Sequence, residues 1–181
     1  MNATALQTHP NAYRRVLATN STASAYTAKA DTTTVPAASN GESSAGYIDL
    51  RAGAAGNMAP NNVLLKFFGV GSDNNTGNCR VYGVKEIVSG TTVSYTHVLL
   101  ADYALTLSAA VGVASGVVSA SERYADTITR TTGVENVADQ LVSPTGDVAG
   151  HVLVDCKGHT ALLVELIVGT ATSVNALYAG V

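Results

Sequence analysis

The sequence has no tryptophan, only two phenylalanines and only two cysteines among its 181 residues. Charged residues make up 13% of the chain, against roughly 25% in typical soluble domains. The net charge of −3 argues against nucleic acid as a partner, because nucleic-acid binding needs clustered Lys and Arg. A surface this poor in charge is typical of a protein that stays packed in an assembly, since isolated domains usually keep more charge for solubility.

Long apolar runs are also missing. No stretch approaches the ~18 consecutive apolar residues of a transmembrane helix, and residues 1–15 lack the apolar core of a signal peptide. We therefore expect no membrane partner and no export by the usual secretory route. Under those conditions Cys79 and Cys156 are expected to be small buried residues, although a disulfide between them or metal ligation stays open.

Small and β-branched residues dominate the 46% of the chain that is hydrophobic, which favours pleated sheet over helix. From Tyr47 onward, strand-sized segments alternate apolar and polar residues, and turn residues separate them. These features predict an all-β fold, an antiparallel β-sandwich with a jelly-roll-like arrangement of about eight strands. The predicted strands are 47–51, 63–70, 78–88, 91–107, 121–130, 151–156, 159–168 and 174–181.

Local signals predict several connections between these strands. Ser89-Gly90 predicts a hairpin turn, and Lys157-Gly158 predicts a second hairpin that joins the apolar runs 151–156 and 159–168. Gly83, in the middle of a strand, predicts a β-bulge. Residues 108–121 fit either packed strands or a buried helical segment, because their periodicity does not decide. A loop is predicted for residues 131–146, with a helical turn around 134–141.

The first 46 residues differ in composition from the rest of the chain. Residues 18–34 carry almost no large apolar side chain, and residues 35–46 have the composition of a linker. Such a segment cannot bury enough apolar area to offset its own ordering entropy. A flexible tail, an extended arm on a neighbouring subunit and a short strand in the main sheet all stay open. We therefore divide the chain into an N-terminal arm and linker, 1–46, and a β-sandwich domain, 47–181.

Patterns for catalysis and metal binding are weak. Four ligand-type residues lie near the last predicted hairpin: His151, Asp155, Cys156 and His159. Zn²⁺ takes such ligands, but their spacing fits no standard site, and we interpret them as a hairpin tip. Residues 73–77 are rich in oxygen ligands but lack the further carboxylates of a calcium loop, so a turn is expected there. We predict no catalytic residue, no cofactor and no metal.

Tyrosine is the one enriched aromatic type, with eight residues. We expect these rings to be half-buried sheet residues. Interface anchors and a platform for stacking on sugars are the alternatives. The lack of tryptophan weakens the carbohydrate alternative.

The layout of the chain resembles a class of virion proteins. The resemblance is carried by the polar arm, residues 147–159, 162–168, 169–174 and 177–181. A Thr/Ala/Ser-rich arm before a Val-rich β-domain that closes with a strand, turn, strand, strand unit resembles the capsid decoration, or cement, proteins of tailed bacteriophages. The resemblance implies a jelly-roll fold, a homo-oligomer such as a trimer, synthesis in the host cytoplasm, a final place on the capsid surface and no catalytic residues.

The resemblance therefore implies a non-enzymatic protein that binds the major capsid protein and bridges its neighbouring subunits. The expected partner-binding residues lie in the arm: Tyr13, Arg14, Arg15, Val16 and Tyr26. The two arginines would pair with acidic capsid patches. The main alternative is a carbohydrate- or receptor-binding β-domain of a phage tail or fibre protein. A small metal-dependent enzyme that uses His151, Asp155 and His159 is a third.

Overall fold

The structure is a computed structural model that describes residues 14–16, 18–22, 28–33, 46–51, 61–107, 123–132, 140–142, 151–156 and 158–180. The eleven strands among them are β1 (Arg14–Arg15), β2 (Asn20–Ser21), β3 (Tyr47–Asp49), β4 (Asn62–Val70), β5 (Thr76–Ser89), β6 (Thr92–Leu107), β7 (Arg123–Thr132), β8 (Gln140–Val142), β9 (His151–Asp155), β10 (Ala161–Val168) and β11 (Ser173–Gly180). The predicted all-β fold is confirmed. Residues 108–121, for which strand and helix stayed open, lie outside the described residues. A helical turn was predicted around 134–141, and the structure has strand β8 at the end of that range.

The strands form two sheets that pack against each other. The order in the first sheet is β1, β11, β4, β9 and β8. In the second sheet β10 pairs with β5, β5 with β6, and β6 with β7, while β2 and β3 lie along the other side of β10. The pairs are antiparallel apart from the parallel pair of β2 and β10. The predicted antiparallel β-sandwich is therefore confirmed.

Two features join the sheets at their edges. Strand β7 pairs mainly with β6, but its first residues, Arg123 and Tyr124, pair with β4 of the first sheet. Elsewhere the Asn20 side chain accepts a hydrogen bond from the Val174 N–H (3.0 Å) and donates one to the Val174 carbonyl (2.6 Å). Asn20 belongs to β2 and Val174 to β11. The side-chain amide thus links strands of the two sheets as a neighbouring backbone would.

Alternating side chains fill the space between the sheets. On β4, Val63, Leu65 and Phe67 are fully buried, as the two-residue period of a strand requires for one inward face. The Phe67 ring packs against Tyr103 of β6, with ring centroids 6.1 Å apart. Val16, from the N-terminal segment, belongs to the same core and is 3% exposed. The core therefore includes a residue that precedes the predicted domain.

The hairpin predicted for residues 151–168 is wrong. Strand β9 pairs with β4 and β8 in the first sheet, whereas β10 pairs with β5 in the second. Gly158, at φ 78°, therefore lies in a crossover between the sheets. Two apolar runs joined by a Gly-containing turn can form either a hairpin or a crossover. Which of the two forms depends on the distant strand with which each run pairs.

The register shift nearest the bulge predicted at Gly83 lies between Val81 and Tyr82, and the extra residue is on the other strand. Val81 pairs with Ala101 and Tyr82 with Leu99, so Leu100 of β6 is the extra residue. Gly83 has a different role. A Cβ atom there would lie 2.1 Å from Cδ2 of His159, so the glycine leaves room for the imidazole ring.

Both cysteines are buried free thiols, so the disulfide alternative is wrong. Burial raises the pKa of Cys79 well above its ordinary value and raises the pKa of Cys156 to about 12. The Cys156 thiol donates a hydrogen bond to the Val154 carbonyl at 3.3 Å. Because the thiolate is the reactive form, both residues serve as small core side chains.

Candidate partner-binding surfaces

The hairpin of β5 and β6 extends beyond the sandwich. The predicted hairpin is confirmed, with its turn at Gly90-Thr91, one residue after the predicted Ser89-Gly90: Ser89 pairs with Thr92, and Gly90 has φ 62°, as a two-residue turn with a leading glycine requires. Pairing of β5 with β10 stops at Val84. Residues 85–92, called the β5–β6 tip below, therefore continue as a two-stranded ribbon.

The β5–β6 tip carries the exposed large apolar side chains of the described residues. Ile87 is 47% exposed and Val88 is 64% exposed. Side chains alternate between the faces of a strand, so these two neighbours point to opposite faces of the ribbon. Val88 pairs with Val93, and Ile87 pairs with Ser94. Each face of the ribbon thus presents one apolar side chain to solvent.

The face of the ribbon that carries Val88 adjoins an apolar cluster that is buried. On the outer side of the second sheet, Val84, Tyr95 and Ala161 form a buried cluster against which Val93 packs. Val93 is also the cross-strand partner of Val88. Contiguous exposed apolar patches mark contact sites, and Val88 extends this cluster into solvent by one side chain. Full burial of such a side chain against a partner would contribute about 1.5–3 kcal/mol.

The described members of the predicted contact set lie on their own domain. Strand β1 pairs with β11, with Arg14 opposite Tyr178 and Arg15 opposite Leu177. The Arg15 guanidinium donates a hydrogen bond to Asn175 Oδ1 (2.8 Å) and lies over the Phe68 ring. Contact of these residues with another protein stays a prediction, and for Val16 it would require the side chain to leave the core. Tyr13 and Tyr26 lie outside the described residues.

Another N-terminal segment, residues 28–33, lies on the outer face of the second sheet and is called the clasp below. Thr32 and Tyr95 exchange two backbone hydrogen bonds, of 3.0 and 2.7 Å. Nδ1 of His97 lies 3.1 Å from the Ala30 carbonyl oxygen. Because a carbonyl only accepts, Nδ1 carries the proton, and Nε2 accepts from the Tyr47 hydroxyl at 2.8 Å. Burial lowers the His97 pKa, which favours this neutral tautomer.

A row of four charged residues of alternating sign, called the charge row below, runs across three neighbouring strands and ends at Lys29 of the clasp. Nε of Arg80 lies 2.9 Å from Oδ2 of Asp102. Its Nη1 lies 3.6 Å from Oε2 of Glu165. Nζ of Lys29, from the clasp, lies 2.6 Å from Oε1 of Glu165 and 5.6 Å from the centre of the Tyr82 ring.

The charge row is mostly shielded from solvent. The Arg80 side chain is 5% exposed, those of Asp102 and Glu165 are 12% and 21% exposed, and that of Lys29 is 33% exposed. The Tyr82 hydroxyl also donates to Glu165 Oε2 at 3.2 Å. Local sequence patterns did not predict this row. The only signal was that Arg80 and Glu165 occupy outward positions of strands, and cross-strand pairing was needed to bring them together.

Two weaker candidate sites from the sequence are the ligand-type residues within 151–159 and the oxygen-rich residues 73–77. Cys156 is buried, and His159 packs against Gly83, while the side chain of His151 lies outside the described part of the chain. Among the described residues, no group of three or more His, Cys, Asp or Glu could hold a metal ion. In residues 71–76, Asn75 Oδ1 accepts from the Ser72 N–H at 2.6 Å, and Asn74 has φ 58°. The predicted turn there is confirmed.

The five tyrosines with described side chains offer no open platform. Tyr82, Tyr95, Tyr103 and Tyr178 are at most 9% exposed. Tyr47 is half-buried, and its hydroxyl is bonded to His97. The expectation of buried or half-buried sheet residues is confirmed for these five.

Comparison with protein-family models, curated proteins and solved structures finds no match. In the described residues, no helix is long and apolar enough to cross a membrane.

Proposed function

We propose that this chain is a non-enzymatic virion structural protein that binds the outer surface of a capsid. It stabilises the shell by bridging neighbouring major capsid subunits, and its sandwich has the jelly-roll arrangement of cement proteins. The observation that carries the proposal is the β5–β6 tip, which extends from the two-sheet core with Ile87 and Val88 in solvent. The low charge and the resemblance in layout support the same class.

The two-faced tip supports bridging in particular. A ribbon that lies flat on one protein needs apolar side chains on one face only. Ile87 and Val88 point to opposite faces, which suits insertion into the seam between two subunits. Each subunit would then bury one side chain, worth about 1.5–3 kcal/mol. Repetition over the shell would multiply a weak contact through avidity.

The tip predicts the effect of two conservative substitutions. Ile87→Thr and Val88→Thr keep the branched Cβ that suits a strand but remove apolar area. Each change is expected to weaken binding to shells about tenfold, equivalent to ~1.4 kcal/mol. The measurement is co-sedimentation with shells assembled from the major capsid protein encoded in the same genome. Ser89→Thr, at an exposed polar position of the same tip, is the matched control and should bind as the unmodified chain does.

Other outcomes would favour a different contact surface or a different function. Unchanged binding by both variants, with unchanged thermal unfolding, would remove the tip from the contact. Loss with Arg14→Gln and Arg15→Gln instead would favour the contact set expected from the sequence. Saturable binding to a glycan array without binding to shells would support a carbohydrate-binding domain of a tail or fibre.

A further inference from the structure

The N-terminal segment contacts the sandwich through three separate groups. Val16 enters the core, and its N–H bonds to the Ala176 carbonyl at 2.9 Å. Asn20 bonds the backbone of Val174 at the edge of the first sheet. Lys29 binds Glu165 in the charge row. All three contacts are non-covalent and join residues more than a hundred positions apart, so any copy of the segment could make them.

The sequence gives this segment a long tether. Twelve residues, 34–45, separate the clasp from Gly46, where the chain reaches the β10 backbone. At ~3.3–3.6 Å per residue, a tether of that length spans up to roughly 40 Å. A tether of this order holds its segment at an effective concentration of about millimolar. The segment of a neighbouring copy held at a comparable local concentration therefore competes equally for the same contacts.

From these contacts we propose that residues 14–33 are exchanged between copies of this chain when the copies are crowded together. The segment of one copy then fills the core position, the sheet edge and the Glu165 site of another. Exchange of an identical element is a low-cost route to association, because the exchanged contacts are the same as the internal ones. The partner is a second copy of the chain. The crowding that favours exchange rests on the proposed lattice function, but the exchange itself does not require a capsid.

The Lys29–Glu165 contact allows a direct test with the unmodified chain. A zero-length carbodiimide reagent joins an amine to a carboxylate only when they touch, as these two do. Chains labelled with ¹⁴N and ¹⁵N are unfolded together, refolded at increasing protein concentration and treated with the reagent. Mass spectrometry then separates Lys29–Glu165 pairs of one isotope from pairs of mixed isotope. Exchange predicts mixed pairs whose share rises with concentration towards that of random pairing.

Two controls make the test decisive. Lys29→Arg keeps the charge but removes the reactive amine, so the cross-linked peptide should disappear. Cross-links from Lys85, at the base of the β5–β6 tip, give the background from random collisions. Pairs of one isotope only, at every concentration, would overturn the proposal, as would absence of the Lys29–Glu165 cross-link. Either result would leave shell binding by the tip untouched, because the test contains no capsid protein.

Discussion

Replacement of Arg80 by methionine is expected to lower the free energy of unfolding by about 3–5 kcal/mol. Methionine keeps the length of the side chain and much of its packing, but it removes the cation between Asp102 and Glu165. Glu165 keeps Lys29 at 2.6 Å, so the main effect falls on Asp102, whose side chain is 12% exposed. A carboxylate shielded from water that loses its cation retains its desolvation cost and loses much of the attraction that offset it. Urea-induced unfolding, followed by circular dichroism, measures the difference.

The matched control is Arg51→Met. Arg51 also binds a carboxylate, Asp49, at 2.6 Å, with the arginine side chain 43% exposed and that of Asp49 2% exposed. The Arg51 backbone N–H also donates to Asp49 Oδ1 at 3.0 Å, and this hydrogen bond is retained in the variant. The loss is therefore expected to be smaller than that of Arg80→Met. Equal losses for the two variants would mean that the charge row has no special energetic role.

The second large effect is expected from Gly83→Ala. The added Cβ would lie 2.1 Å from Cδ2 and 2.2 Å from Nε2 of His159, so the ring or the strand must move. Overpacking of this kind typically costs about 1–3 kcal/mol. The midpoint of thermal unfolding should fall accordingly.

A double-mutant cycle with His159→Ala tests the reason. If the ring is the obstacle, the Gly83→Ala change should cost much less in the background of His159→Ala, with a coupling of about 0.5–3 kcal/mol. Gly69→Ala is the comparison, because its Cβ would meet the Ser173 carbonyl oxygen at 2.3 Å. Since that atom belongs to the backbone, His159→Ala should not rescue it. Additive losses at Gly83 would contradict the steric account.

Local patterns were sufficient for much of the fold. The hairpin turn at Gly90 was predictable to within one residue because the residues that form it are adjacent in sequence and glycine suits its backbone angles. The alternation on β4 was predictable because one of its faces is buried. The crossover at Gly158 was not predictable in this way. Both β9 and β10 are apolar, and only their distant partners, β4 and β5, distinguish a crossover from a hairpin.

The candidate sites depended still more on distant contacts. Arg80, Asp102 and Glu165 are spread over 86 positions of the sequence, and the pairing of β5 with β6 and β10 brings them into one row. Ile87 and Val88 looked like ordinary strand residues. They are exposed because β5 has 14 residues and β10 only 8, a difference that matters only once the two strands are known to pair.

The most direct test of the central claim is electron cryomicroscopy of shells saturated with the chain. The shells are assembled from the major capsid protein encoded in the same genome. We expect density for the β-sandwich on the outer surface, with the β5–β6 tip inserted between two neighbouring capsid subunits and Ile87 and Val88 in contact with different subunits. Shells without bound density, or chains attached through another surface with the tip in solvent, would contradict the account.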